Sequence, residues 1–165
     1  VETNPRSPSG ANSSNPQPYP LREAEDGFYF TTDEGINYYL QLKFRDGYFD
    51  AASFSDDVAE FSIVPIGQKV GRKRDSRIMA TIVEMFNAAF FDKPNLIVIY
   101  ICSLENNQEI LREYLFTKWF RQNSKGFVKI DFNRQEKRQY ASVIFQENHP
   151  YRDEIIEIFT EINNK

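Results

Sequence analysis

Thiol and imidazole groups are almost missing from this 165-residue chain, whose single cysteine is Cys102 and whose single histidine is His149. One cysteine excludes an internal disulfide, so export to an oxidising compartment is not required and a reduced cytoplasm is the expected location. A zinc site needs three or four ligands, and one thiol, one imidazole and scattered carboxylates do not favour it, so no metal or cofactor is expected. No run of about 18 apolar residues occurs, and the N-terminus is polar and proline-rich, so neither a membrane span nor a signal peptide is expected. A basic excess is missing as well: the net charge of −4 argues against a surface that tracks nucleic acid throughout, and leaves room only for a local basic patch. Met79 is the first methionine, which points to a processed product or an excised domain.

Aromatic rings are plentiful, at 15% of residues with phenylalanine in the majority. Most fall at positions that the periodicity already marks as buried, so a core built from rings is favoured over a stacking platform for bases or sugars. Residues 1–22 hold five of the eight prolines among Ser, Asn and Gly and read as a tail, in which Tyr19 and Leu21 could dock as an extended segment. Residues 23–165 read as one domain, a size that buries roughly 70% of its unfolded surface.

Within that domain, alternation at period two marks strands over 27–32, 37–44 and about 59–66, with Pro65 pointing to an edge or a strand end. Apolar residues at Ile78, Met79, Ile82, Val83, Phe86, Ala89 and Phe90 make the first helix amphipathic, with Asp75 or Ser76 as its cap. A near-continuous apolar strand over 96–102 follows, covered on both faces. A second helix from about 107 to 122, strands over 127–132 and 140–146, and a final helix capped by Asn148 or His149 complete the order βββαβαββα. The expected class is α+β: a single mixed, mostly antiparallel sheet with three helices. Only the unit from Leu96 to Phe132 is expected to form a right-handed parallel crossover.

The run Tyr100-Ile101-Cys102, a helix carrying Arg112 and Phe116-Thr117-Lys118-Trp119-Phe120, then Phe127-Val128-Lys129-Ile130-Asp131 and Asn148-His149-Pro150-Tyr151 resembles an uncharacterised bacterial family of short, single-domain proteins. The resemblance extends from about Tyr19 to Ile162 and implies a bacterial, cytoplasmic protein with no established activity. It carries over no functional residues.

Three constellations could carry function. The turn after Cys102 holds Cys102, Glu105 and Arg112, where strand ends and a helix N-terminus would activate a thiolate. Gln108 occupies the place of a phosphatase arginine, and a buried, inert thiol is the favoured reading. His149 is the only base for a cysteine dyad, and helix capping explains it without chemistry. The glycine-flanked run Lys69, Arg72, Lys73, Arg74 and Arg77 suits a phosphate backbone, without the ending of a phosphate-binding loop. Finally, the apolar stripe of the second helix is wider than one sheet face needs, so that Tyr114, Phe116 and Phe120 either pack or meet a partner. The leading expectation is a non-enzymatic protein-interaction module or homodimer that uses this helix or an edge strand. Nucleic-acid binding through residues 67–77 comes second, and an enzyme at the Cys102 turn third.

Overall fold

The computed structural model describes residues 15–44, 49–67, 75–103, 117–118, 120–122, 125–134 and 139–163. Strands β1 (Arg22–Ala24), β2 (Gly27–Thr31), β3 (Asn37–Phe44) and β4 (Val58–Ile66) precede helix α1 (Ser76–Asp92) and strand β5 (Ile97–Ser103). A second helix, α2, is described at 117–118 and 120–122. After it come β6 (Phe127–Arg134), β7 (Gln139–Gln146) and α3 (Arg152–Asn163). All seven strands form one mixed, mostly antiparallel sheet in the order β1-β2-β3-β4-β5-β7-β6, an α+β fold.

The pairing corrects one expectation. The sheet's single parallel pair joins β4 to β5, with Val58 opposite Ile97 and Phe61 opposite Tyr100, so α1 is a crossover helix. Between β5 and β6, which also run parallel to each other, β7 is inserted and pairs antiparallel with both. Helix α1 carries the chain back the full length of β4, which makes side-by-side parallel pairing the short route. Phe120 of α2 packs against the same core cluster as α1, so both helices contribute to the core on one face of the sheet.

Alternating side chains fill a core on each face of the sheet. On the first face Phe30, Leu40, Phe61, Val98, Tyr100 and Ile144 meet Met79, Ile82, Phe86 and Phe90 of α1. The second face holds Ile97, Ile99, Val143 and Phe145 beneath Ile155 and Phe159 of α3, joined by Phe54 and Phe49. Phe54 belongs to residues 49–57, which end in a 3-10 turn at Ser55–Asp57. Each side chain fully buried here contributes roughly 1.5–3 kcal/mol of transfer free energy.

The start of α1 follows sequence logic, whereas α3 begins at Arg152, later than a cap at Asn148 or His149 places it. Asp75 caps α1, its Oδ1 accepting the Arg77 N–H at 2.9 Å, and the free backbone donors of a first turn are what such a side chain satisfies. Before α3, the His149 Nδ1 accepts the Tyr151 N–H at 3.0 Å, while its Nε2 lies 2.9 Å from the Asn95 carbonyl. Because Nδ1 accepts, Nε2 carries the proton and donates it to Asn95.

Candidate interaction surface

Helix α3 and residues 49–57 cover the second face only over the β4 start, β5, β7 and β6. Over β1 to β3 and the rest of β4 that face stays open among the described residues, and none of its side chains there is buried. Strand register sets them in rows. One row runs from Arg22 through Tyr29 and Tyr39 to Val64, and the next from Thr31 through Asn37 to Ile66. Gln41 faces Ser62 and Lys43 faces Glu60 beyond them.

Val64 and Ile66 are 48% and 47% exposed. Beside Val64, the Tyr29 and Tyr39 rings lie with centroids 4.8 Å apart and planes tilted by 32°. Arg22 donates to the Thr31 hydroxyl at 3.0 Å, and Thr31 donates to the Asn37 Oδ1 at 2.6 Å, which orders the polar side of the patch. Desolvation, followed by the Asp26 carboxylate and Tyr29, raises the Tyr39 hydroxyl above its ordinary pKa, so it is neutral at physiological pH. The patch is aliphatic and aromatic at its centre, hydroxyl- and amide-bearing beside it, and carries charges of both signs at its border.

Other expected site residues fall elsewhere. Arg77 is engaged within the chain: its guanidinium lies 3.9 Å from the Tyr19 ring centre and donates to the Asp33 carboxylate at 2.9 and 3.1 Å and to the Gln17 carbonyl at 2.8 Å. Tyr19 itself is buried; its hydroxyl donates to Asp75 at 2.6 Å and its N–H to the Thr81 hydroxyl at 2.8 Å. This clasp fastens the segment before β1 to the start of α1. Lys69, Arg72, Lys73 and Arg74, like Glu105, Arg112, Tyr114 and Phe116, lie outside the described residues.

Phe120 is half-buried against the first core. Cys102 is a β5 residue opposite Tyr140. His149 binds the carbonyl of Asn95, before the other end of β5. Cys102 lies seven positions along the chain from Asn95, roughly 20 Å at the rise of a strand, so Cys102 and His149 cannot form a dyad. Among the described residues, no three His, Cys, Asp or Glu side chains are grouped to hold a metal, and no helix is long and apolar enough to cross a membrane.

The open half-face was not legible in the sequence, although the alternation of Tyr39, Gln41 and Lys43 against Tyr38, Leu40 and Leu42 signalled a strand with one covered side. Which exposed sides align into one patch depends on strand order.

A family model covers residues 74–161, just over half of the chain, from the α1 cap into α3. The chain belongs to DUF6169, a family of unknown function. Among curated proteins none matches it. The DUF6169 span includes both crossovers and the β6–β7 hairpin, whereas the half-face of β1 to β4 precedes it in the chain.

Proposed function

We propose that this DUF6169 member is a non-enzymatic module that binds a protein partner through the open half-face of β1 to β4. The observation that carries this reading is the exposure of Val64 and Ile66 next to the Tyr29–Tyr39 ring pair, on a sheet face whose other half is covered. Contiguous apolar surface of this kind, bordered by hydrogen-bonding groups, marks protein contacts, and tyrosine supplies large contact area at low entropic cost. Arg22 and Lys43 are only partly offset by Glu60 on the same face, and two cations beside exposed aliphatic side chains suit a protein surface better than a phosphate backbone, which takes a run of them. Phe91 and Tyr151 are exposed singly and need no partner.

Site-specific photocrosslinking tests this reading. A photoreactive side chain at position 39 or 64 should give one discrete protein adduct in the source cells, and none at Asn87, an exposed residue of α1. The pair Val64→Glu and Ile66→Glu should abolish the adduct while leaving the circular dichroism and melting temperature unchanged. An RNA adduct, equal labelling at position 87, or an adduct indifferent to both glutamates would overturn the proposal.

A further inference from the structure

The two ends of the sheet are unlike. β1 is a three-residue edge, too short to template another strand, whereas β6 has eight residues, as many as the interior strand β3. Among the described residues β6 pairs only with β7, and a long edge strand of this kind is a feature that proteins usually blunt. Its sequence Val128-Lys129-Ile130-Asp131-Phe132 is complementary to itself about Ile130. Val128, Ile130 and Phe132 belong to the face covered by α3. Lys129 and Asp131 project to the other face, where they form an ion pair.

Two copies of a strand paired antiparallel about a two-fold axis normal to the sheet place residues equally distant from the axis opposite one another. Centred on Ile130, this pairing sets Lys129 against Asp131 of the partner subunit and Val128 against Phe132 of the partner subunit, with the two Ile130 side chains together. Centring on Lys129 or on Asp131 would instead oppose two like charges. Of these three registers only the one centred on Ile130 satisfies both faces, and opposite charges directly across a ladder stabilise whereas like charges destabilise. Within each chain Asp131 accepts from Lys129 and, at 2.5 Å, from the Ser142 hydroxyl, and its side chain is 71% exposed, so the partner subunit's Lys129 would join an ordered carboxylate at its exposed side.

From this self-complementarity we infer that β6 is a homodimerisation edge: two copies join β6 to β6 in the register centred on Ile130, making one continuous sheet of fourteen strands, twice the seven of one chain. The surface is separate from the half-face of β1 to β4 and stands or falls independently of it.

A charge-swap set, read by analytical ultracentrifugation of the full chain, decides the matter. The parent should be a dimer, and Lys129→Asp and Asp131→Lys should each weaken it at least about tenfold, since each opposes two like pairs. An equimolar mixture of these two variants should recover a heterodimer, and the double variant Lys129→Asp/Asp131→Lys should recover the homodimer. Recovery on mixing shows that each single variant is folded. In a Cys102→Ser background, Ile130→Cys should oxidise to a disulfide-linked dimer, because directly opposed antiparallel residues lie at about the Cα separation that a disulfide spans. A monomeric parent, a dimer indifferent to the charge changes, or no recovery on mixing would overturn the inference. Val64→Glu with Ile66→Glu should leave dimerisation intact.

Discussion

A Cβ at Gly27 would lie 2.2 Å from the Leu40 carbonyl oxygen and 2.9 Å from the Tyr39 ring. The glycine therefore lets β2 and β3 approach while an aromatic ring from the neighbouring strand covers the gap, a known way of compensating glycine in a sheet. Gly27→Ala should lower unfolding free energy by about 1–3 kcal/mol, the usual range for overpacking; urea denaturation measures it, and an unchanged midpoint would contradict the account.

Tyr19 gives a second prediction at this scale. Burial first, then the hydrogen bond to Asp75, raises its hydroxyl above the ordinary value of 10.0. The unfolded tyrosine then ionises before the folded one, so its contribution is complete below about pH 10 and is lost as the pH rises through the folded value. Tyr19→Phe should cost about 1–3 kcal/mol near neutrality, because its bond is to a carboxylate. The same variant should show a shallower alkaline loss of stability than the parent. Some alkaline loss should persist, since burial first raises Tyr38 and desolvation first raises Tyr39.

Helix α3 shows how an element depends on one side chain. His149 is buried, donates from Nε2 to Asn95 and accepts at Nδ1 the N–H of Tyr151, the residue before α3, so one imidazole orders the turn that leads into the helix and ties it to the segment before β5. His149→Ala should cost about 2–4 kcal/mol, through the lost cap together with the cavity. His149→Asn, which retains a capping oxygen, should recover part of that loss; thermal unfolding and amide exchange at Tyr151 follow both effects. A helix start near Asn148-His149-Pro150 was readable, because such signals are local. Its bond to Asn95 was not, since it joins residues 54 apart in the chain. The same contrast holds for Asp75: its capping of α1 follows from position, whereas its hold on Tyr19 spans 56 residues.

At the scale of the molecule, one sheet carries two unequal coverings. α1 and the described part of α2 contribute to the first core, while α3 and residues 49–57 cover only part of the second face. Among the described residues that asymmetry leaves both proposed contact surfaces: an uncovered half-face at one end and a long edge strand, paired on one side with β7, at the other. Period and capping in the sequence yielded α1, β2 to β7 and α3 close to their observed limits. Strand β1 and residues 49–57 escaped it. Three residues are too few to show a period, and Phe49 and Phe54 gain their order from Phe159, a ring more than a hundred positions away in the chain.

The amino-acid order by itself determined most of the strands and helices, which side of each is apolar, where α1 begins, and that the class is α+β, because these depend on periodicity and on hydrogen bonds within a few residues. It also contained the palindrome about Ile130. Only the tertiary structure decided that β4 lies parallel beside β5, that β7 enters between β5 and β6, that Arg77 is occupied by Asp33 and Tyr19, and that β6 ends the sheet. Those outcomes depend on which distant surfaces meet, and neither pattern nor propensity encodes adjacency between strands separated by a helix.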